Sequence, residues 1–245
     1  MDKDKDQERC GESGNVLFYI LIAVVLLAAL SYAVSQSGRS GQKLGSERAR
    51  ILASDILEYS GVIGKAVAQL RLRGCTETQI SFENTGVSGY TNATAPSNES
   101  CHVFSVNGAG VTYNAPLTDV LESSLSGNTF YGEWLISGAN ETTDVGTGAA
   151  DLVLALPFLK ESICTQINKM TGHGKSDGTP IVDAGDSIGR SDDTKFTGSF
   201  AASPENMGTA DPTSDNYSAK LAGCIEGDTD PASENYTFYK VLIAR

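Results

Sequence analysis

The sequence predicts an α+β fold: a long N-terminal helix, half membrane-type and half amphipathic, packed on an antiparallel sheet head domain that is disulfide-linked. Three observations predict it. Residues 16–34 read VLFYILIAVVLLAALSYAV, with no charge. Residues 46–73 then repeat apolar side chains every three or four positions. Beyond Cys75 the texture turns to short alternating runs broken by Gly, Pro, Ser and Asn, and four cysteines fall there.

The apolar run is the strongest signal. A helix over Val16 to Val34 rises ~1.5 Å per residue and reaches about 28 Å, close to the ~30 Å of a bilayer core. A helix buried in a globular core is rarely apolar on every face at this length. A cleaved secretory signal has a basic flank and a shorter apolar run. Here the flank is MDKDKDQERCGESG, as acidic as it is basic. Arg39, Lys43, Arg48 and Arg50 follow the run, so charge asymmetry does not place the C-terminal part outside.

The chain accordingly divides into a leader (1–14), a transmembrane or filament-core helix (15–34), a flexible Gly/Ser break (35–45) and a globular head (46–245). The break, SQSGRSGQKLG, is expected because each interior Gly costs a helix about 1 kcal/mol relative to Ala. In the helix from Ser46 to Arg73, the residues Leu52, Ile56, Tyr59, Ile63, Ala66 and Leu70 form one stripe, and Gly74 suits a C-cap. Strands are expected at 79–84, 102–107, 110–114, within 129–138, at 151–157 and at 236–243. A short helix is expected over 116–125. A second helix is expected to start at Pro157 and run to Met170, burying Leu159, Ile163, Ile167 and Met170. Residues 171–215 read as a long surface loop, or as partly disordered.

Lys and Arg number 18 against 30 Asp and Glu, a formal net charge of -12. That balance opposes nucleic-acid binding, which rests on cations neutralising phosphates, and opposes docking on anionic lipid. Cys10 precedes the apolar run, while Cys75, Cys101, Cys164 and Cys224 follow it. An even set on one side suits two disulfides in an oxidising compartment. Of three pairings, Cys75–Cys101 and Cys164–Cys224 close separate local loops and are favoured; buried free thiols are the alternative.

A hydrophilic leader ending in Gly, a uniformly apolar helix, an amphipathic helix and strands with late cysteines together resemble the type IV pilin and pseudopilin superfamily. The resemblance implies cleavage by a prepilin peptidase after Gly14, before Asn15, or else after Gly11, before Glu12. It implies an inner-membrane single-pass precursor whose residues 15–34 then bundle with copies of itself or sister pilins. The product would be an extracellular or periplasmic filament, either a type IV pilus or a type II secretion pseudopilus. The family's Glu at the fifth mature position is absent: Tyr19 stands there after cleavage at Gly14, and Val16 after cleavage at Gly11. Ala23, Ala28, Ala29, Ser31 and Ala33 let helix backbones approach closely, and are also ordinary in a membrane helix. The alternative is a monomeric, singly anchored binding domain at the periplasmic or outer surface.

Little in the sequence points to catalysis. His102 adjoins Cys101, a pair that reads as a disulfide partner beside an incidental histidine. His173 lies in a GHG turn and is expected in solvent. No nucleophile elbow or phosphate loop occurs. Asp177, Asp183, Asp186, Asp192 and Asp193 crowd one Gly-rich loop, and flexible acidic loops can supply the six to eight oxygens of a calcium site. The resemblance adds weight, since some pseudopilins carry Ca2+ near the C-terminus; a merely solvated loop is the plainer reading. Asn92, Asn98, Asn140, Asn216 and Asn235 fit the N-x-[ST] acceptor pattern.

Overall fold

The computed structural model describes residues 13–183, 188–190, 193–208, 220–227 and 235–245, with side chains described from Val16 to Tyr32 and from Gly45 onward. It divides into two units, Met1–Glu47 and Arg48–Arg245.

Helix α1 runs over Ser13–Leu72. In the first unit, every described side chain from Val16 to Tyr32 is exposed. Among the described residues no helix is long and apolar enough to cross a membrane. The backbone of 35–45 is helical, where a Gly/Ser break was expected; the glycine cost is a propensity and does not forbid helix.

In the second unit the expected stripe is present. Ala49, Ala53, Ile56, Ser60, Ile63, Ala66, Val67 and Leu70 are buried, at the three-and-four spacing of one helix face. Gly64 lets this helix approach the sheet, since a Cβ there would meet the Lys240 side chain at 3.3 Å. The helix ends as expected: Gly74 takes φ 98°, and Cys75 N–H donates to Leu70 O at 3.1 Å.

The strands are β1 (Leu135–Ser137), β2 (Asn140–Thr142), β3 (Leu152–Leu159), β4 (Ile181–Asp183), β5 (Glu205–Met207), β6 (Ala222–Gly227) and β7 (Tyr236–Ile243). Five form one sheet in the order β1-β3-β7-β6-β4, antiparallel except for the parallel β4–β6 edge. β2 and β5 pair in parallel as a separate two-stranded sheet. β3 is buried at every position. Leu152, Leu154 and Leu156 join the core that contains the head part of α1, while Val153 and Ala155 join a second core with Leu135, Ile188, Met207, Ile225 and Tyr239. Burial on both faces is why LVLALPFL is a continuous apolar run.

Pro157 lies inside β3, not at a helix start. The ladder with β7 shifts register between Leu156 and Leu159, and Phe158 takes φ 63°. A missing N–H is tolerated at such a bulge. Helix α2 therefore begins later, at Glu161, and runs to Thr171. Ile163 and Ile167 are buried as expected, Leu159 is buried from the strand, and Met170 is 37% exposed.

The expected strands at 79–84, 102–107 and 110–114 are absent as ladders. One isolated parallel bridge, Ser81 to His102, remains. Backbone groups there bond instead to turns and side chains. Asn84 Oδ1 accepts from Gly86 and Val87 N–H, and Asn92 Nδ2 donates to Thr78 O and Ile80 O. Ile80, Phe82, Tyr90 and Val103 still bury into the main core. The expected helix over 116–125 is two single 3-10 turns, Thr118–Val120 and Ser123–Leu125. Within 171–215, β4, β5 and the buried His173, Phe196 and Met207 belong to the packed body, in place of a purely surface loop.

Candidate functional site

Both favoured disulfides are present. Cys75–Cys101 spans a sequence separation of 26, and Cys164–Cys224 one of 60. Cys101 is thereby spent as a disulfide half, so His102 has no thiolate beside it. His102 lines a polar hollow of about 680 Å³ with Glu83, Glu99 and Tyr113.

His173 departs from expectation. It is 3% exposed, packed edge-on against Tyr239, with the Tyr239 hydroxyl 3.1 Å from Nε2. Burial first, and the nearby Lys220 ammonium second, pull its pKa down to about 4. It is a neutral core histidine at physiological pH. The Gly on each side suggested a solvated turn; the partner, Gly223 on β6, lies fifty residues downstream and left no local signal. A Cβ on Gly223 would meet the His173 ring at 2.5 Å.

The acidic loop separates into individual roles. Asp177 is exposed, and Thr179 N–H donates to its Oδ1 at 2.9 Å, which holds its pKa below the usual value. Asp183 is buried at the end of β4, where Gly208 N–H approaches its carboxylate at 3.2 Å. Asp193 Oδ2 accepts from Gly189 and Arg190 N–H at 2.6 and 2.9 Å. Asp186 and Asp192 lie outside the described residues. Among the described residues no three His, Cys, Asp or Glu side chains are grouped to hold a metal ion.

Of the leader residues, Gly14 and Asn15 are in the first turn of α1, while Gly11 and Glu12 lie outside the described residues. Three acceptor-pattern asparagines are structural. Asn92 holds the loop after α1, Asn235 Oδ1 accepts from Phe158 N–H, and Asn140 is buried in β2. Asn98 is exposed, and Asn216 lies outside the described residues.

Two surface features escaped sequence reasoning. One is an apolar cleft of about 200 Å³ between α1 and residues 114–120, with Leu52, Ile56, Tyr59, Leu117 and Trp134 in its walls and Asp55 at its rim. The other lies at the far end of the head, where Leu72 is 90% and Val106 92% exposed. No protein-family model, curated protein or solved structure matches this chain.

Proposed function

We propose that the chain is a non-catalytic structural subunit that assembles through residues 15–34 into a type IV pilus-like filament or a type II secretion pseudopilus. The observation that carries this reading is the apolar surface of α1. Thirteen large hydrophobic side chains between Val16 and Tyr32 are each at least 40% exposed and lie all round the helix. Burying such side chains is worth about 1.5–3 kcal/mol each, so the set represents on the order of 20 kcal/mol. A surface of that size requires lipid, sister helices, or first one and then the other. The inner membrane would hold the precursor, a prepilin peptidase would cut after Gly14, and copies or sister pilins would cover the helix afterwards. The disulfides of the head fit an oxidising destination.

Mass spectrometry of the natural N-terminus tests this. A mature chain beginning at Asn15, or at Glu12, is expected; an intact Met1 in the membrane-extracted protein sinks the assembly reading. That second outcome favours a monomeric anchored binding domain. A calcium ion held by the acidic loop, through Asp177, Asp183, Asp186, Asp192 and Asp193, is part of this proposal. Thermal unfolding with and without chelator decides it: an unchanged Tm removes the ion.

A further inference from the structure

We propose that the cleft beside Asp55 receives the Leu72 end of the head of a second copy of this chain, making a head-to-tail contact. The inference deepens the filament reading above and rests on it.

The cleft and the knob sit on one helix. The cleft is walled by Leu52, Ile56, Tyr59, Leu117 and Trp134. Tyr59 and Trp134 support each other at a ring separation of 5.3 Å, and the Tyr59 hydroxyl is anchored by Thr112 O and Asn114 N–H. The site is therefore pre-formed, which lowers the ordering cost of binding. Leu72 projects at the other end of the head helix. The Arg73 guanidinium donates to Gly108 O at 2.7 Å, which draws the loop carrying Val106 to the same end. Leu72 is 90% and Val106 92% exposed, so both are accessible to a partner.

Charge selects the occupant. Asp55 at the cleft carries no ion pair among the described residues, and neither does Arg73 beside Leu72. An aliphatic knob flanked by a cation matches an apolar cleft rimmed by an anion. Asp55 and Leu72 are separated along the helix by about 26 Å at ~1.5 Å per residue. Because the two patches differ and lie at opposite ends, the contact is heterologous. It repeats from copy to copy and does not close into a dimer.

Cysteine cross-linking of the full-length chain in membranes tests this, in a Cys10→Ser background. Leu72→Cys and Leu117→Cys are placed together on one chain; both positions are exposed, so folding is retained. Oxidation is expected to give a ladder of multimers on non-reducing gels, and neither single variant gives a ladder. Asp55→Arg or Arg73→Glu is expected to lower the ladder yield at least about tenfold, and the double exchange to restore it. Dimers formed through Leu72→Cys alone, or no product from the pair, overturn the proposal. Ala28→Cys separates the two readings. If it cross-links copies while the pair does not, the filament reading stands and the knob-in-cleft contact falls; if neither cross-links, both fall.

Discussion

The side chain of Asn168 grips both backbone groups of Cys224: its Nδ2 donates to Cys224 O at 2.9 Å, and its Oδ1 accepts from Cys224 N–H at 2.8 Å. β4 begins pairing with β6 at Ile225, so at Cys224 the amide stands in for a neighbouring strand. One helical turn earlier, Cys164 is bonded to the same residue through its disulfide. Asn168→Ala leaves two buried backbone groups without partners, at about 1–3 kcal/mol each when unsatisfied. We expect a loss of about 2–4 kcal/mol, read as a lower denaturant midpoint at unchanged slope.

The two disulfides should differ in worth. In the chain-entropy account a bridge constrains the unfolded state more when its loop is longer. Cys164–Cys224 closes the longer loop, 60 against 26 in sequence separation. Replacing both of its cysteines by Ala should cost roughly 0.7 kcal/mol more than replacing Cys75 and Cys101. Equilibrium unfolding of the two double variants compares them directly. A larger loss for the shorter loop would place the effect in native packing.

Much of the head was legible where a pattern was local. The stripe from Ile56 to Leu70, the Gly74 cap and the alternating run to Ile243 follow from periodicity and capping alone. What failed depended on distant partners. QISFEN and HVFSVN read as strands because their apolar residues alternate, yet in 79–84 the side chains of Asn84 and Asn92 take Phe82 O and Ile80 O, backbone groups that a ladder would have used. Pro157 is a good helix starter in isolation, but the β7 pairing carries the strand past it. His173 looked solvated because its cover, Gly223 and Tyr239, is invisible from its neighbours. Of the candidate site, only the cysteine pairs could be read in advance. The cleft takes its walls from residues 52–59, 114–120, 134 and 156, and no single stretch announces it.

Tyr90 seals the outer edge of β1. Its hydroxyl donates to Trp134 O at 2.8 Å and accepts from Ile136 N–H at 3.0 Å, fully buried. Tyr90→Phe keeps the ring and orphans both groups away from water. Tyr59→Phe removes a similar pair, to Thr112 O and Asn114 N–H, but at a half-exposed position where water can substitute. We expect Tyr90→Phe to cost about 1–3 kcal/mol and to exceed Tyr59→Phe by about 1 kcal/mol. Equal losses in urea unfolding would show that the Tyr90 pair is no better shielded.

His173 should make stability depend on pH over a defined window. Its folded pKa lies near 4, below the unfolded value of 6.5, so between these limits the unfolded chain binds more protons. Stability then rises with pH through that window, and falls as pH drops from about 6.5 toward 4. The difference is on the order of 3 kcal/mol at full effect. His173→Gln should flatten the share of the Tm–pH slope between pH 6.5 and 4 that the wild type owes to this ring. Gly223→Ala forces a Cβ to within 2.5 Å of the same ring and should cost about 1–3 kcal/mol at neutral pH through overpacking. Combining it with His173→Gln should relieve part of that cost, because the two sites touch. Strict additivity of the pair in thermal unfolding would show that the ring does not occupy the space above Gly223.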